Sequence, residues 1–246
     1  MKTYRTETFV FHTTAPAPCP YLPHRLERKV VTELGQGDAA RFHEILSRSG
    51  FRRSHAIAYA PACPGCSACV PVRIDAANFH EGRTFRRIRR TNADLTPAPC
   101  PAVATGEQHR LFLRYQEVRH AGGDMAAMEF HEYRSMIEDS PIETLVLEFR
   151  DPEEALIAAV LADVMEDGLS AVYSFYRPDM PKRSLGSFVV LTLIDACRKL
   201  GLPYLYLGYW IAESRKMAYK ARFQPLEGYG PAGWRRLPPP PTDRPD

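Results

Sequence analysis

The sequence predicts a mixed α/β protein, of α+β type, and three observations carry that assignment. Two β-rich runs, Ala155 to Met165 and Leu169 to Tyr176, are joined by Glu166-Asp167-Gly168, a hairpin turn signal. A largely apolar helix follows over Ser184 to Leu200, with Leu185, Phe188, Val189 and Leu193 on its buried face and Gly201 to close it. It leads into Pro203-Tyr-Leu-Tyr-Leu-Gly208, a buried-strand pattern, so that strand, helix and strand after a hairpin build one mixed sheet. With 246 residues and 45% apolar content, the chain can fill one large core or two small ones.

From the start, four prolines in the eight positions Pro16 to Pro23 exclude helix and give an extended or turning segment. Ala39, Phe42, Ile45 and Leu46 then recur at helical spacing behind Asp38, a capping residue, and Gly50 stops the helix. Phe51 to Tyr59 alternates as a strand would and runs into Cys63-Pro-Gly-Cys66-Ser-Ala-Cys69. Val70-Pro-Val-Arg73-Ile is a short strand. Leu95-Thr-Pro-Ala-Pro-Cys100-Pro breaks the chain, which sets expected units at 1–100, 101–236 and a Pro-rich tail at 237–246. Thr105-Gly-Glu-Gln108 is a capping box that opens a helix with Leu111, Phe112, Tyr115 and Val118 on one stripe, and a second helix covers His131 to Glu138. Glu143 to Arg150 adds a third strand to the hairpin, and a last helix is expected around Glu213 to Arg222.

The net charge of +3 is mild, so any polyanion-binding surface has to come from local clustering. Arg83-Thr-Phe-Arg86-Arg87-Ile-Arg89-Arg90 is such a cluster, single in sign and interleaved with apolar residues. No apolar run approaches the roughly 18 residues of a membrane-spanning helix, and Met1-Lys-Thr-Tyr-Arg-Thr-Glu lacks a signal-peptide core, so a cytoplasmic protein with no membrane partner is expected. In that reducing compartment the cysteines are thiols, thiolate ligands or packed side chains. Cys19, Cys63, Cys66 and Cys69 are enough for a tetrahedral zinc or an iron-sulfur cluster if the Cys19 loop folds back; otherwise they shape a turn. Cys100 and Cys197 read as packing residues.

The order of elements in the C-terminal half resembles the core of the Gcn5-related N-acetyltransferase fold. That fold binds coenzyme A on backbone amides at the start of its central helix through Gln/Arg-x-x-Gly-x-Gly/Ala. Here the segment reads Arg183-Ser184-Leu185-Gly186-Ser187-Phe188, and the phenylalanine at the last small position is expected to crowd the pyrophosphate. A donor other than coenzyme A fits better.

Longer blocks point further. Cys19-Pro-Tyr-Leu-Pro, Phe51-Arg-Arg-Ser, Cys63 to Arg73, Arg183-Ser-Leu-Gly186, Tyr206-Leu-Gly-Tyr-Trp210 and Ser214-Arg-Lys-Met-Ala-Tyr-Lys-Ala-Arg-Phe223 together resemble the bacterial aspartate/glutamate leucyltransferases, relatives of the eukaryotic arginyl-tRNA protein transferases. The resemblance implies transfer of leucine from leucyl-tRNA to proteins with N-terminal Asp or Glu, which hands the product to N-degron degradation machinery. It also implies an N-terminal cysteine-bearing domain packed on an acetyltransferase-like one. Eukaryotic relatives hold an iron-sulfur cluster on cysteine pairs, but here Leu22 stands where the first pair would need its second cysteine.

An aminoacyl ester is already an activated donor, so no cofactor is required for the chemistry, and the site has to align amine and ester and hydrogen-bond the oxyanion. Tyr176, Ser184 and Tyr209 are the expected hydrogen-bonding groups, while Tyr173 and Phe175 fill the sheet core. An acidic acceptor calls for arginine, with Arg52, Arg53 and Arg90 as candidates; the same arginines would also suit an acceptor stem. Arg86, Arg87, Lys216 and Lys220 are expected on tRNA phosphates, and Trp210 or Tyr219 on a base. Asp163, inside an apolar run, reads either as a base or as an edge residue facing water. The rival functions are arginyl transfer to the same acceptors, a coenzyme A-dependent N-acetyltransferase, and a non-catalytic thiolate-metal RNA-binding module.

Overall fold

The computed structural model describes residues 9–35 and 37–240; the expected N-terminal stretch Met1 to Glu7 and residues 241–246 of the Pro-rich tail lie outside them. Short strands open the chain: β1 (His12–Thr13), β2 (Ala17–Pro18), β3 (Leu26–Glu27) and β4 (Lys29–Glu33). Helix α1 (Ala39–Arg48) starts where Asp38 accepts the Arg41 N–H at 3.0 Å and buries Phe42 and Leu46. The single strand expected over Phe51 to Tyr59 is a hairpin instead, β5 (Arg52–Ser54) and β6 (Ile57–Pro61), turned at His55 with φ +52°. Four of these strands form a sheet in the order β1-β4-β6-β5, and β2 and β3 pair separately.

The remaining elements build an eight-stranded sheet and its covering helices. They are β7 (Val70–Asp75), α2 (Arg83–Thr91), β8 (Thr96–Pro101), α3 (Gly106–Arg119), α4 (Phe130–Glu138), β9 (Thr144–Arg150), β10 (Leu156–Met165), β11 (Gly168–Tyr176), α5 (Leu185–Lys199), β12 (Tyr204–Trp210), β13 (Leu226–Gly230) and β14 (Gly233–Arg236). Strand order is β14-β13-β7-β12-β11-β10-β9-β8. The arginine run is thus a helix, with Phe85 and Ile88 buried and arginines outward. The Pro-rich stretch after Leu95 is the edge strand β8, a place where missing N–H groups cost no ladder bonds. Residues 70–101 therefore share the sheet and core of the C-terminal half. The expected helix at 213–222 reduces to a 3-10 turn, Ala218–Arg222.

Alternation along β10 explains the layers. Ala158, Val160 and Ala162 face a core with α5 and α2, whereas Ala159 and Leu161 face Phe112 of α3 and Tyr133 of α4. Thr105 and Gln108 form the predicted capping box of α3. Cys197 packs in the core as expected, and half-buried Cys100 lies on the edge strand. No helix among the described residues is long and apolar enough to cross a membrane.

Candidate active site

Strands β11 and β12 run parallel and pair only over Gly168↔Tyr204, Leu169↔Leu205 and Ser170↔Tyr206, then separate into a slot. Separation strips carbonyls of their ladder partners, and buried carbonyls need donors. Two cations supply them. Arg52 reaches in from β5, and its Nη2 donates to the Ala171 and Val172 carbonyls at 2.9 Å each while Nη1 donates to Leu207 O at 3.4 Å. From the turn after β12, Lys220 Nζ donates to Leu207 O at 2.8 Å and Tyr209 O at 2.6 Å. Gly208 is fixed twice over: its φ is +70°, and a Cβ there would overlap the Arg52 guanidinium.

Lys220 is 8% exposed. Burial first, and the Arg52 charge second, push its ammonium down to about 7.

Tyrosines line the mouth of the slot. Tyr176 ends β11, meets Tyr115 edge-on at 4.9 Å between ring centroids and stands directly over Gly186. Burial, then Tyr176 and Tyr173, push the Tyr115 phenol far above its usual range. Tyr219 is 38% exposed and meets Phe223 edge-on at 6.4 Å between ring centroids. Ser184 sits at φ +51°, and its carbonyl accepts the Ser187 and Phe188 N–H groups while its exposed side chain makes no capping bond. Arg183 pins this turn to α2: its Nε donates to Asn92 Oδ1 at 2.9 Å, and Asn92 Nδ2 donates back to Arg183 O at 2.8 Å. Trp210 ends β12, with its indole N–H buried and unpartnered among the described residues.

Several expected roles move. Tyr209 is buried, and its hydroxyl donates to Gly50 O at 3.0 Å and Tyr59 O at 3.1 Å, so it ties β12 to the small sheet and has no free hydrogen for a substrate. Arg53, 4% exposed, holds Asp163 with three bonds of 2.6 to 3.0 Å and His55 O at 2.9 Å, which makes it an internal ion pair rather than an acceptor-binding group. Asp163 is fully buried by the same contacts and by Thr144, and is neither a base nor an edge residue. Lys216 is exposed while Lys220 is buried, so they do not share the expected basic face; a 3-10 turn breaks the four-residue spacing. Phe188 packs against Phe149 in the core and does not crowd the helix start; Tyr176 fills the space at Gly186 instead. Arg86, Arg87 and Arg90 are exposed on α2.

Comparison with known proteins then decides the family. A family model described as "Arginine-tRNA-protein transferase, N terminus" matches residues 17–87, and one described as "Arginine-tRNA-protein transferase, C terminus" matches residues 107–230. Curated proteins named aspartate/glutamate leucyltransferase are similar along nearly the whole chain. That of Paramagnetospirillum magneticum is 63% identical over 93% of this chain and 94% of its own. That of Gluconacetobacter diazotrophicus is 60% identical over 93% and 88%, and that of Rhodospirillum rubrum 58% over 91% and 92%.

The chain belongs to the arginine-tRNA-protein transferase family.

In this member of the family the cysteine turn lies beside the slot. The Arg28 N–H donates to Cys63 Sγ at 3.3 Å, and Arg25 Nη1 donates to Cys66 Sγ at 3.1 Å. The Ala68 N–H and then Arg25 hold the Cys66 thiol below its usual range. Burial, then Cys19, Cys63 and Cys66, push Cys69 up to about 11, so the four thiols are gathered within electrostatic reach of one another. A surface cleft of about 460 Å³ opens beside them between Arg25, Arg28, Gly65 and Cys66. Among the described residues no group of three or more His, Cys, Asp or Glu side chains stands in position to hold a metal ion, and two of the sulfurs accept hydrogen bonds from protein donors. Hydrogen bonds of this kind are also made to metal-bound thiolates, and an activated ester needs no metal to react with an amine.

Proposed function

We propose that the chain transfers leucine from leucyl-tRNA to the α-amino group of proteins beginning with Asp or Glu, in the cytoplasm, and so marks them for N-degron degradation. The observation that carries this reading is the near-full-length identity to proteins named for that activity, 63% in the first of them. The slot supports it chemically. Its cationic lining favours charge that develops on an ester carbonyl oxygen when an amine attacks, and buried fixed charge acts more strongly there than in water. Because the ester is already activated, positioning and electrostatics supply the rate.

Around that centre Tyr176 and Ser184 hydrogen-bond the ester and the leaving ribose oxygen. Trp210 and Tyr219 offer flat faces to the terminal adenine, and the outward arginines of α2, Arg86 and Arg87, together with Lys216, meet the acceptor-stem phosphates. Arg90, exposed on α2, is the arginine left for the acceptor carboxylate once Arg53 is spent on Asp163 and Arg52 on the carbonyls of the slot. No coenzyme A is needed, since the donor is the aminoacyl ester itself.

The test is incubation with tRNA charged with labelled leucine or labelled arginine and peptides that begin with Asp, Glu or Ala. Leucine on the acidic peptides alone is expected. Label from arginyl-tRNA would assign the eukaryotic type of activity, and acetylation of the peptides by acetyl-CoA without transfer from either tRNA would replace the reading altogether.

A further inference from the structure

Lysine is almost never buried without a counter-charge, because desolvating an ammonium is costly. Lys220 is buried, and no carboxylate lies at ion-pair distance from it among the described residues. Its two partners are backbone carbonyls, and one of them, Leu207 O, is shared with the Arg52 guanidinium. Two cations therefore flank a single oxygen at the place where β11 and β12 part. A neutral amine suits this environment better than an ammonium. It has two N–H bonds, and the carbonyls of Leu207 and Tyr209 use both. What remains on Nζ is the lone pair.

Resting on the leucyl-transfer reading, we infer that Lys220 in its neutral form is the catalytic base that takes a proton from the acceptor's α-ammonium in the slot. The steps balance. Lys220 and the α-ammonium exchange one proton, which leaves a neutral α-amine and a Lys220 ammonium. The amine lone pair forms the C–N bond at the ester carbon, the C–O bond to the ribose breaks, and the second proton of the amine passes to the ribose oxygen. The Lys220 ammonium formed in the first step stands beside the oxyanion while it exists, then returns its proton to solvent.

The ionisable groups at this corner are Arg52 from β5, Tyr209 from β12, Tyr176 from β11 and Tyr219 beside Lys220 itself. Burial holds the Tyr209 phenol above its ordinary range, so it is neutral near pH 7 and the charge acting on Lys220 is that of Arg52. A lysine titrating at about 7 is matched to an α-amine that titrates at about 7.7 to 8.0, which is the condition for efficient proton transfer. The bland alternative is a lysine that only ties the slot edge together.

The experiment is single-turnover transfer from pre-charged leucyl-tRNA by wild type and Lys220→Arg, a variant that keeps hydrogen-bond donors but stays protonated and so has no lone pair to offer. Two acceptor peptides are used, one beginning with Asp and one with 3,3-difluoroaspartate, whose fluorines leave its amine neutral at pH 7. About a tenth of an α-amine that titrates near 8 is already neutral at pH 7, so Lys220→Arg should slow the Asp peptide about tenfold more than the difluoro peptide at that pH. An equal loss on both peptides means a structural lysine and overturns the inference, as does an unchanged rate on the Asp peptide. NMR titration of ¹³C-labelled lysine, with Lys220 assigned by the peak missing in the variant, gives an activity-independent readout. A midpoint near the ordinary value of about 10.4 also overturns it. Wild type that transfers no leucine removes the leucyl-transfer reading and this inference with it, whereas wild-type transfer beside an unaffected variant removes the inference alone.

Discussion

Gly208→Ala tests how the slot is held open. An added Cβ would overlap the Arg52 guanidinium, and φ is +70° at this position, so the alanine both strains the backbone and evicts Arg52. Eviction loses the two 2.9 Å bonds to Ala171 O and Val172 O. A bond from a charged donor is worth about 1.5 kcal/mol net, so the pair contributes about 3 kcal/mol. A left-handed alanine adds about 1 kcal/mol, which brings the expected loss to about 4 kcal/mol. Arg52→Ala alone removes the same two bonds and should cost about 3 kcal/mol. In the double variant the alanine at 208 has nothing left to displace, so its cost should stay near 4 kcal/mol and the coupling between the sites should be about 3 kcal/mol. Equilibrium urea unfolding of the four proteins measures it. A Gly208→Ala loss under about 1 kcal/mol, or a double variant in which the single losses simply add, would refute the peg.

Three further outcomes follow from the contacts. Arg53→Met leaves the Asp163 carboxylate buried with only His43 and Thr144 beside it, so it should cost about 3 kcal/mol in urea unfolding, far more than loss of a surface arginine would. Tyr209→Phe removes the donor to Gly50 O and Tyr59 O and should cost about 1 kcal/mol of stability while the folded enzyme keeps its turnover; a selective loss of turnover would return Tyr209 to the chemistry. Arg86→Ala and Arg87→Ala should each weaken leucyl-tRNA binding and flatten the dependence of log affinity on log salt by about 0.9, read by filter binding across a salt series.

What the sequence shows and hides follows from the range of the forces involved. The Asp38 cap, the Thr105 capping box and the Asp167-Gly168 turn are local, and each forms where it was expected. The β5–β6 turn is hidden because a histidine, not a glycine, takes the left-handed conformation. The edge strand β8 looks like a linker because its prolines are tolerated only where no neighbour needs their N–H. Arg53 carries no local sign of its partner, since Asp163 lies 110 residues away and only the fold brings the two together. Lys216 and Lys220 suggest one helical face, yet no helix joins them: Lys216 is exposed before a short 3-10 turn, and that turn sends Lys220 inward. The slot itself becomes visible only when the pairing of β11 with β12 is seen to stop after three residues.

The cysteine turn is dense in chemistry and easily taken for the reacting centre, but the carbonyls, cations and tyrosines that suit acyl transfer converge between β11 and β12. Leucyl-tRNA charged with a diazirine analogue of leucine separates the two sites most directly. After irradiation and digestion, mass spectrometry should find the label on residues of the slot mouth, Tyr176, Trp210 or Tyr219. Label confined to the segment from Cys63 to Cys69 would contradict the account.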